Sequence, residues 1–83
     1  MAETLIEVFV IKAISKVTGD IHYVKIDDGY VELVDYNTDG TLYKYDEAAE
    51  QAIEEYCDGE ETHEYTVGSV MVGYEDLMKL ELN

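Results

Sequence analysis

The chain has 83 residues, of which 47% are hydrophobic, and its 20 acidic side chains face 5 lysines and no arginine, giving a formal net charge of -15. That length allows one domain, residues 1–83, and the apolar fraction argues against disorder. The charge argues against direct binding to nucleic acid or to an anionic membrane, because phosphates are bound by clusters of Lys and Arg. A partner with a basic surface is the natural complement.

The segments that would direct the chain to a membrane or an export pathway are not visible in the sequence. Cys57 is the only cysteine, so no internal disulfide can form, as in a reducing cytosol. The apolar run Leu5–Ile14 is interrupted by Glu7 and Lys12 and has no basic region before it. We therefore expect a soluble, cytoplasmic protein.

The first part of the chain predicts β-strands. Residues Thr4–Ile14 carry apolar side chains at both odd-numbered and even-numbered positions, which is typical of a strand covered on both faces. Val17–Asp20 reads as a turn, and Ile21–Asp27 then alternates between apolar and polar side chains. Asp27-Asp28-Gly29 is a strong hairpin signal.

Two further strands are expected at Tyr30–Tyr36 and Thr41–Tyr45. The turn between them is Asn37–Gly40, in which Gly40 is expected to take a positive φ. Short turns between consecutive strands favour an antiparallel meander. Thr62–Val67 alternates weakly and is a candidate fifth strand.

A helix is predicted from Asp46, as its N-cap, to about Cys57, with Gly59 ending it in the left-handed conformation. Its expected buried stripe consists of Ala48, Ala49, Ala52, Ile53 and Tyr56. Tyr74–Leu82 favours a second, short helix. The predicted fold class is α+β: an antiparallel sheet of four or five strands packed against one acidic helix.

The solvent side of the predicted helix carries the most unusual charge pattern. Between Asp46 and Glu64 there is no Lys or Arg, and acids near the helix C-terminus oppose the macrodipole. At about 1.5 Å per residue the acids average about 4 Å apart along the axis, close to the 3.4 Å phosphate spacing of a DNA strand. The alternative is a solvated helix face that serves solubility. The acids are Glu47, Glu50, Glu54, Glu55 and Asp58, followed by Glu60, Glu61 and Glu64.

A calcium loop is a second interpretation. Residues 35–46 place Asp35, Asn37, Asp39 and Gly40 at the first, third, fifth and sixth positions of an EF-hand pattern. Against it, Asp46 stands where the longer Glu usually gives the bidentate contact, and a strand precedes the loop instead of a helix.

Catalytic motifs are lacking, and no enzyme or cofactor is predicted. His22 and His63 are far apart in sequence, and Cys57 lies among acids that disfavour a thiolate. A third interpretation is a non-enzymatic accessory protein with an apolar interface formed by Val70–Val72 and Met78.

The pattern of a strand, an Asn-x-Asp-Gly turn, a strand and an acidic helix, in a short chain ending Glu-Leu-Asn, resembles the small phage-encoded anti-CRISPR proteins. Some of these block an RNA-guided nuclease by imitating duplex DNA. The resemblance covers the second half of the chain, whereas the first half begins with a long apolar strand. It implies a cytoplasmic inhibitor in the host cell whose basic target, a nuclease or its guide complex, is contacted by Asp39, Glu47, Glu50, Glu54, Glu55 and Asp58.

Overall fold

The computed structural model describes residues 4–59 and 61–77 and contains an open antiparallel sheet with the strand order β3-β2-β1-β4. The strands are β1 (Leu5–Ser15), β2 (Ile21–Asp27), β3 (Tyr30–Val34) and β4 (His63–Gly73). The predicted α+β class is confirmed. The candidate fifth strand is β4, which continues past Val67 and pairs with β1 over its whole length.

Strand β1 lies in the middle of the sheet and is buried on both faces, as its apolar pattern predicts. Ile11 and Ala13 belong to the core cluster beneath the helix, whereas Val8 and Val10 belong to a second cluster on the opposite face. All four are at most 1% exposed. Successive side chains of a strand point to opposite faces, so this one strand anchors both cores.

The hairpin between β2 and β3 is confirmed. Asp28 and Gly29 both take positive φ, 53° and 83°, as a two-residue primed turn requires. The turn pairs Asp27 with Tyr30 and sets the register that places Leu33 opposite Val24.

The predicted strand Thr41–Tyr45 is wrong as the fourth strand of a meander. After β3 the chain forms a 3-10 turn at Asn37–Asp39, and residue 43 then makes an isolated bridge to Phe9 of β1. Tyr43 and Phe9 exchange two N–H···O bonds of 2.8 Å. The reason is tertiary: β2 pairs with β1 only at residues 12–14, which leaves the edge of β1 at Phe9 open to the returning chain.

Gly40 does not take the expected positive φ. Its φ is -76° and its ψ is 174°, because the 3-10 turn reverses the chain before that residue. A Cβ at this position would lie 3.0 Å from the carbonyl oxygen of Val24, so close packing on β2 favours glycine here.

The helix α1 (Asp46–Ala52) continues into a π-helical turn (Ile53–Cys57). The left-handed conformation predicted for Gly59 is confirmed, with φ 85°, but Asp58 already has an extended backbone, so the helix ends before Gly59. The N-cap prediction is wrong by one residue. Tyr45 has the extended backbone of the cap position and makes no side-chain cap bond. Asp46 is the first helical residue, and its Oδ1 accepts the N–H of Glu47 at 2.8 Å.

The buried stripe of the helix differs from the prediction at its last turn. Ala49 and Ala52 are buried, but Tyr56 is 41% exposed and Cys57 is buried in its place. A π-helical turn bonds residue i to i+5, so it holds more residues than the 3.6 of an α-helical turn. Cys57, five residues after Ala52, therefore faces the sheet.

The second predicted helix is present at its start as α2 (Tyr74–Leu77), and Leu77 packs on the core cluster opposite α1. Residues 78–82 of that prediction lie outside the described residues. Within residues 4–59 and 61–77, no helix combines the length and the apolar character needed to cross a bilayer.

Candidate functional site on the acidic helix

Residues 46–57 lie across one face of the sheet, so the acids of the helix point to solvent. Ala49 and Ala52 contact the cluster that contains Ile11, Ala13 and Val24. The opposite side of the helix and the residue after it carry an acidic ridge, whose members are all exposed: Glu47, Glu50, Glu54 and Glu55 on the helix, and Asp58 directly after it.

The acidic ridge is not neutralised from within the part of the chain that the structure describes. There, no lysine lies within 4.0 Å of a carboxylate, and the one ion pair joins His22 Nε2 to Asp35 Oδ1 at 3.4 Å. That pair lies on β2 and the segment after β3, and it involves no residue of the ridge. Among the described residues, no cationic side chain lies within ion-pair distance of the ridge.

The backbone groups at the two ends of the helix interact differently with this negative charge. Asp46 and Glu47 occupy the first turn, where the exposed N–H groups favour negative charge. Glu54 and Glu55 lie in the π-helical turn, which contains no basic residue and whose carbonyl oxygens disfavour negative charge. The ridge thus carries acids at positions where a helix evolved for stability alone would favour Lys or Arg.

The four other acids of the predicted binding surface lie outside the helix. Asp39 is exposed in the 3-10 turn, and Glu61 is exposed in the bend before β4. Glu64 alternates with Tyr65 on β4, and Tyr65 packs on the helix-side cluster, so Glu64 points to the opposite face. The structure does not bring Glu64 together with the ridge, and Glu60 lies outside the described residues.

A groove of about 250 Å³ runs along one flank of the helix. Glu55, Tyr56 and Gln51 line it from the helix, and Tyr43, Thr41 and Ile26 line it from the sheet side. Burial raises the pKa of Tyr43 above its ordinary value of 10.0, and negative charge on Cys57 and Tyr56 acts in the same direction. The groove therefore joins two aromatic rings to one carboxylate of the ridge.

The sequence does not reveal this groove, because its pattern predicts a regular strand at Tyr43. Its bridge to Phe9 carries the ring beneath the helix, and only the three-dimensional pairing shows that Tyr43 and Tyr56 share a surface.

The three Asp side chains of the loop interpreted as a calcium site, residues 35–46, do not form a group that could hold a metal ion. Asp35 lies between strand β3 and a 3-10 turn, and Asp39 is the last residue of that turn. Among the described residues, no three His, Cys, Asp or Glu side chains form a group that could hold a metal ion.

The polar residues considered for catalysis are spread over the fold. His22 lies on β2, and its Nδ1 is buried without a hydrogen-bond partner among the described residues. His63 lies on β4, on the other side of β1, with its Nδ1 2.8 Å from Thr62 Oγ1. Cys57 is buried in the core beneath the helix.

The predicted apolar interface is only partly on the surface. Val72 is 6% exposed and belongs to the core, Val70 packs against the same cluster, and Met71 is 54% exposed. Met78 lies outside the described residues.

Comparison of the chain with family models, with curated proteins and with solved structures finds no match.

Proposed function

We propose that the protein is an inhibitor that binds the nucleic-acid-binding surface of a basic partner, such as a nuclease or its guide complex, through the acidic ridge. The observation that carries the proposal is that the ridge is exposed, fixed on a packed helix and not paired with any lysine of the described chain. A groove built for phosphates holds Lys and Arg, which such a ridge complements.

The rigidity of the helix supports the proposal. Ala49 and Ala52 are small and buried, so the helix lies close to the sheet, and the backbone positions of its acids are fixed. A preformed row of charge loses less conformational freedom on binding than a flexible acidic tail does. The ridge thus resembles the fixed phosphates of a duplex more than a disordered acidic segment.

The groove beside the ridge provides a place for one long cationic side chain of the partner. An arginine can stack on Tyr56 and pair with the carboxylate of Glu55, since guanidinium groups bind both aromatic faces and carboxylates. Tyr43 would form the floor of this contact. The groove would give the interaction a shape requirement in addition to charge.

The test compares two variants that each lose four negative charges. The ridge variant carries Glu47→Gln, Glu50→Gln, Glu54→Gln and Glu55→Gln, and the control carries Glu7→Gln, Asp20→Asn, Asp27→Asn and Glu32→Gln. All eight positions are exposed, so both variants should fold. Each protein is used to capture partners from a bacterial lysate, and each captured partner is purified and tested for displacement from a labelled DNA duplex.

We expect the wild type and the control to capture a nucleic-acid-handling protein and to displace it from the duplex, and the ridge variant to lose both activities. Affinity should fall about tenfold or more from low to physiological salt, because exposed charges are screened over about 8–10 Å at these ionic strengths. Equal binding by the ridge variant, or binding indifferent to salt, would refute the proposal.

A further inference from the structure

The outer edge of β4 is a long row of backbone groups that no described strand pairs. β4 is the last strand of the sheet order, and its 11 residues pair with β1 without a bulge. It contains no proline and no lysine, which are among the devices that protect sheet edges from other chains. The other edge strand, β3, has only 5 residues.

The hydrogen bonds at the two ends of the β1–β4 ladder show which residues face that edge. Lys16 N donates to Thr62 O at 3.1 Å, and Tyr74 N donates to Thr4 O at 2.9 Å. Because bonded and non-bonded pairs alternate in an antiparallel ladder, even-numbered residues of β4 direct their N–H and C=O groups to β1. Odd-numbered residues, such as Val67, Ser69 and Met71, direct theirs outward.

We propose that this outer edge of β4 pairs with β4 of a second copy of the chain, which joins the two sheets across a two-fold axis at Gly68. In that register the whole strand overlaps, and outward-facing Val67 lies opposite outward-facing Ser69, so the bonding groups meet. The inference is independent of the function proposed for the acidic ridge.

The same register avoids placing like charges opposite each other on the strand. Glu64 is the only Asp or Glu of β4, and it lies opposite Val72 of the second copy. Ser69 and Met71 are exposed, and Val70 is half-buried, so neighbouring side chains can also meet across the new pair. A shift of the axis by one residue would still place odd-numbered residues opposite odd-numbered ones, but only the axis at Gly68 overlaps all 11 residues of the strand.

Charge opposes this association, which gives it a characteristic salt dependence. Each copy carries a net charge of -15, and Glu75 and Asp76 follow directly after β4. Lys12 of each copy would lie near the axis, because its alkyl chain crosses Gly68. Salt screens the repulsion between the two negatively charged copies and the repulsion between their two Lys12 side chains. The dimer should therefore become tighter as salt rises, whereas binding of a basic partner should weaken.

Amide hydrogen exchange followed by NMR tests the pairing directly. At about 0.5 M NaCl, where the screening length is below about 10 Å, exchange at Val67, Ser69 and Met71 should slow about tenfold or more as the protein concentration rises from micromolar to millimolar. The neighbouring even-numbered amides of Gly68 and Val70 are bonded to β1 and should be protected at every concentration. Sedimentation measured in parallel should show the dimer.

Two variants separate the edge from other surfaces. Ser69→Pro removes an outward N–H that the β1 ladder does not use, and the preceding Gly68 tolerates proline's restriction on its neighbour. Ser69→Lys adds an edge charge without changing the backbone. Both should stay monomeric while retaining the wild-type circular dichroism spectrum, whereas Val31→Lys on the opposite edge should dimerise like the wild type.

A monomer at millimolar concentration and about 0.5 M NaCl would overturn the inference. So would a dimer in which the amides of Val67, Ser69 and Met71 still exchange rapidly, or one that Ser69→Lys leaves intact, because the contact would then lie elsewhere.

Discussion

Glu54→Lys is expected to stabilise the fold, although it removes a member of the acidic ridge. Glu54 is exposed in the π-helical last turn, where a cation is favoured and an anion is not. Reversing the charge changes the interaction with the helix dipole by about 0.3–1 kcal/mol for each of the two steps, loss of the anion and gain of the cation. It also converts repulsion from Glu50, four residues earlier, into attraction worth about 0.2–0.5 kcal/mol.

Glu47→Lys is the matched control because it makes the same change of charge in the first turn of the same helix. Both variants reduce the self-repulsion of a chain with a net charge of -15. The dipole term amounts to about 0.6–2 kcal/mol for each variant and has opposite signs at the two ends, so Glu54→Lys should be the more stable variant by about 1–4 kcal/mol. For a domain of this size, each kcal/mol corresponds to about 4–8 °C in Tm.

Thermal melts of the two variants, at low salt and at about 1 M NaCl, measure this difference. The gap in Tm should be largest at low salt and should shrink at about 1 M, where the screening length is about 3 Å. If the two variants melt together at low salt, or if Glu54→Lys melts below Glu47→Lys, the ridge is not in conflict with the helix dipole. A Glu54→Lys protein that melts higher and binds the partner less tightly cannot owe its loss of binding to unfolding.

Three further outcomes follow from the structure. Ile11→Ala, at a side chain with 0% exposure in the central strand, should lower the free energy of unfolding in urea by about 2–5 kcal/mol, while Val17→Ala at 90% exposure should change it by less than about 0.5 kcal/mol. The raised pKa of Tyr43 means that the folded state holds this proton more tightly than the unfolded chain does, so its stabilising contribution is complete below the ordinary pKa of 10.0 and is lost as the pH rises through the folded value. Tyr43→Phe should therefore lose less Tm than the wild type between about pH 9 and pH 11, and the exposed Tyr45→Phe should behave like the wild type; identical alkaline losses in all three would contradict the assignment. Melts with millimolar calcium and with chelator should coincide, because residues 35–46 form no cluster of ligands, and a rise in Tm with calcium that Asp39→Asn removes would revive the calcium loop.

The sequence is a good guide to the parts of the fold that local chemistry decides. Apolar side chains at both odd-numbered and even-numbered positions place β1 in the middle of the sheet, and the positive φ of Asp28 and Gly29 follows from the hairpin signal. The positive φ of Gly59, just beyond the helix, follows from the same local chemistry. The exposure of the acidic ridge also follows from periodicity, since the small apolar residues of the helix define its opposite side.

What the sequence could not supply depends on contacts between distant segments. The bridge from Tyr43 to Phe9 exists because β2 leaves the edge of β1, and strand propensity does not encode that departure. The exchange of Tyr56 for Cys57 in the core depends on a π-helical turn, which a 3.6-residue pattern cannot show. The face to which Glu64 points depends on the register of β4 with β1, since a slip of one residue would reverse it.

The net charge links the two proposed interactions with opposite effects. In the two proposals, carboxylates on the ridge would attract a basic partner, and the same charge, summed over the chain, would keep two copies of β4 apart at low salt. Glutamine substitutions on the ridge should therefore weaken partner binding and strengthen self-association, whereas Ser69→Lys should block self-association and leave partner binding unchanged. Because the ridge lies on the helix and Ser69 lies on the sheet edge, the two variants alter different surfaces. If ridge variants remained as monomeric as the wild type at every concentration, self-repulsion would not be what holds the β4 edges apart.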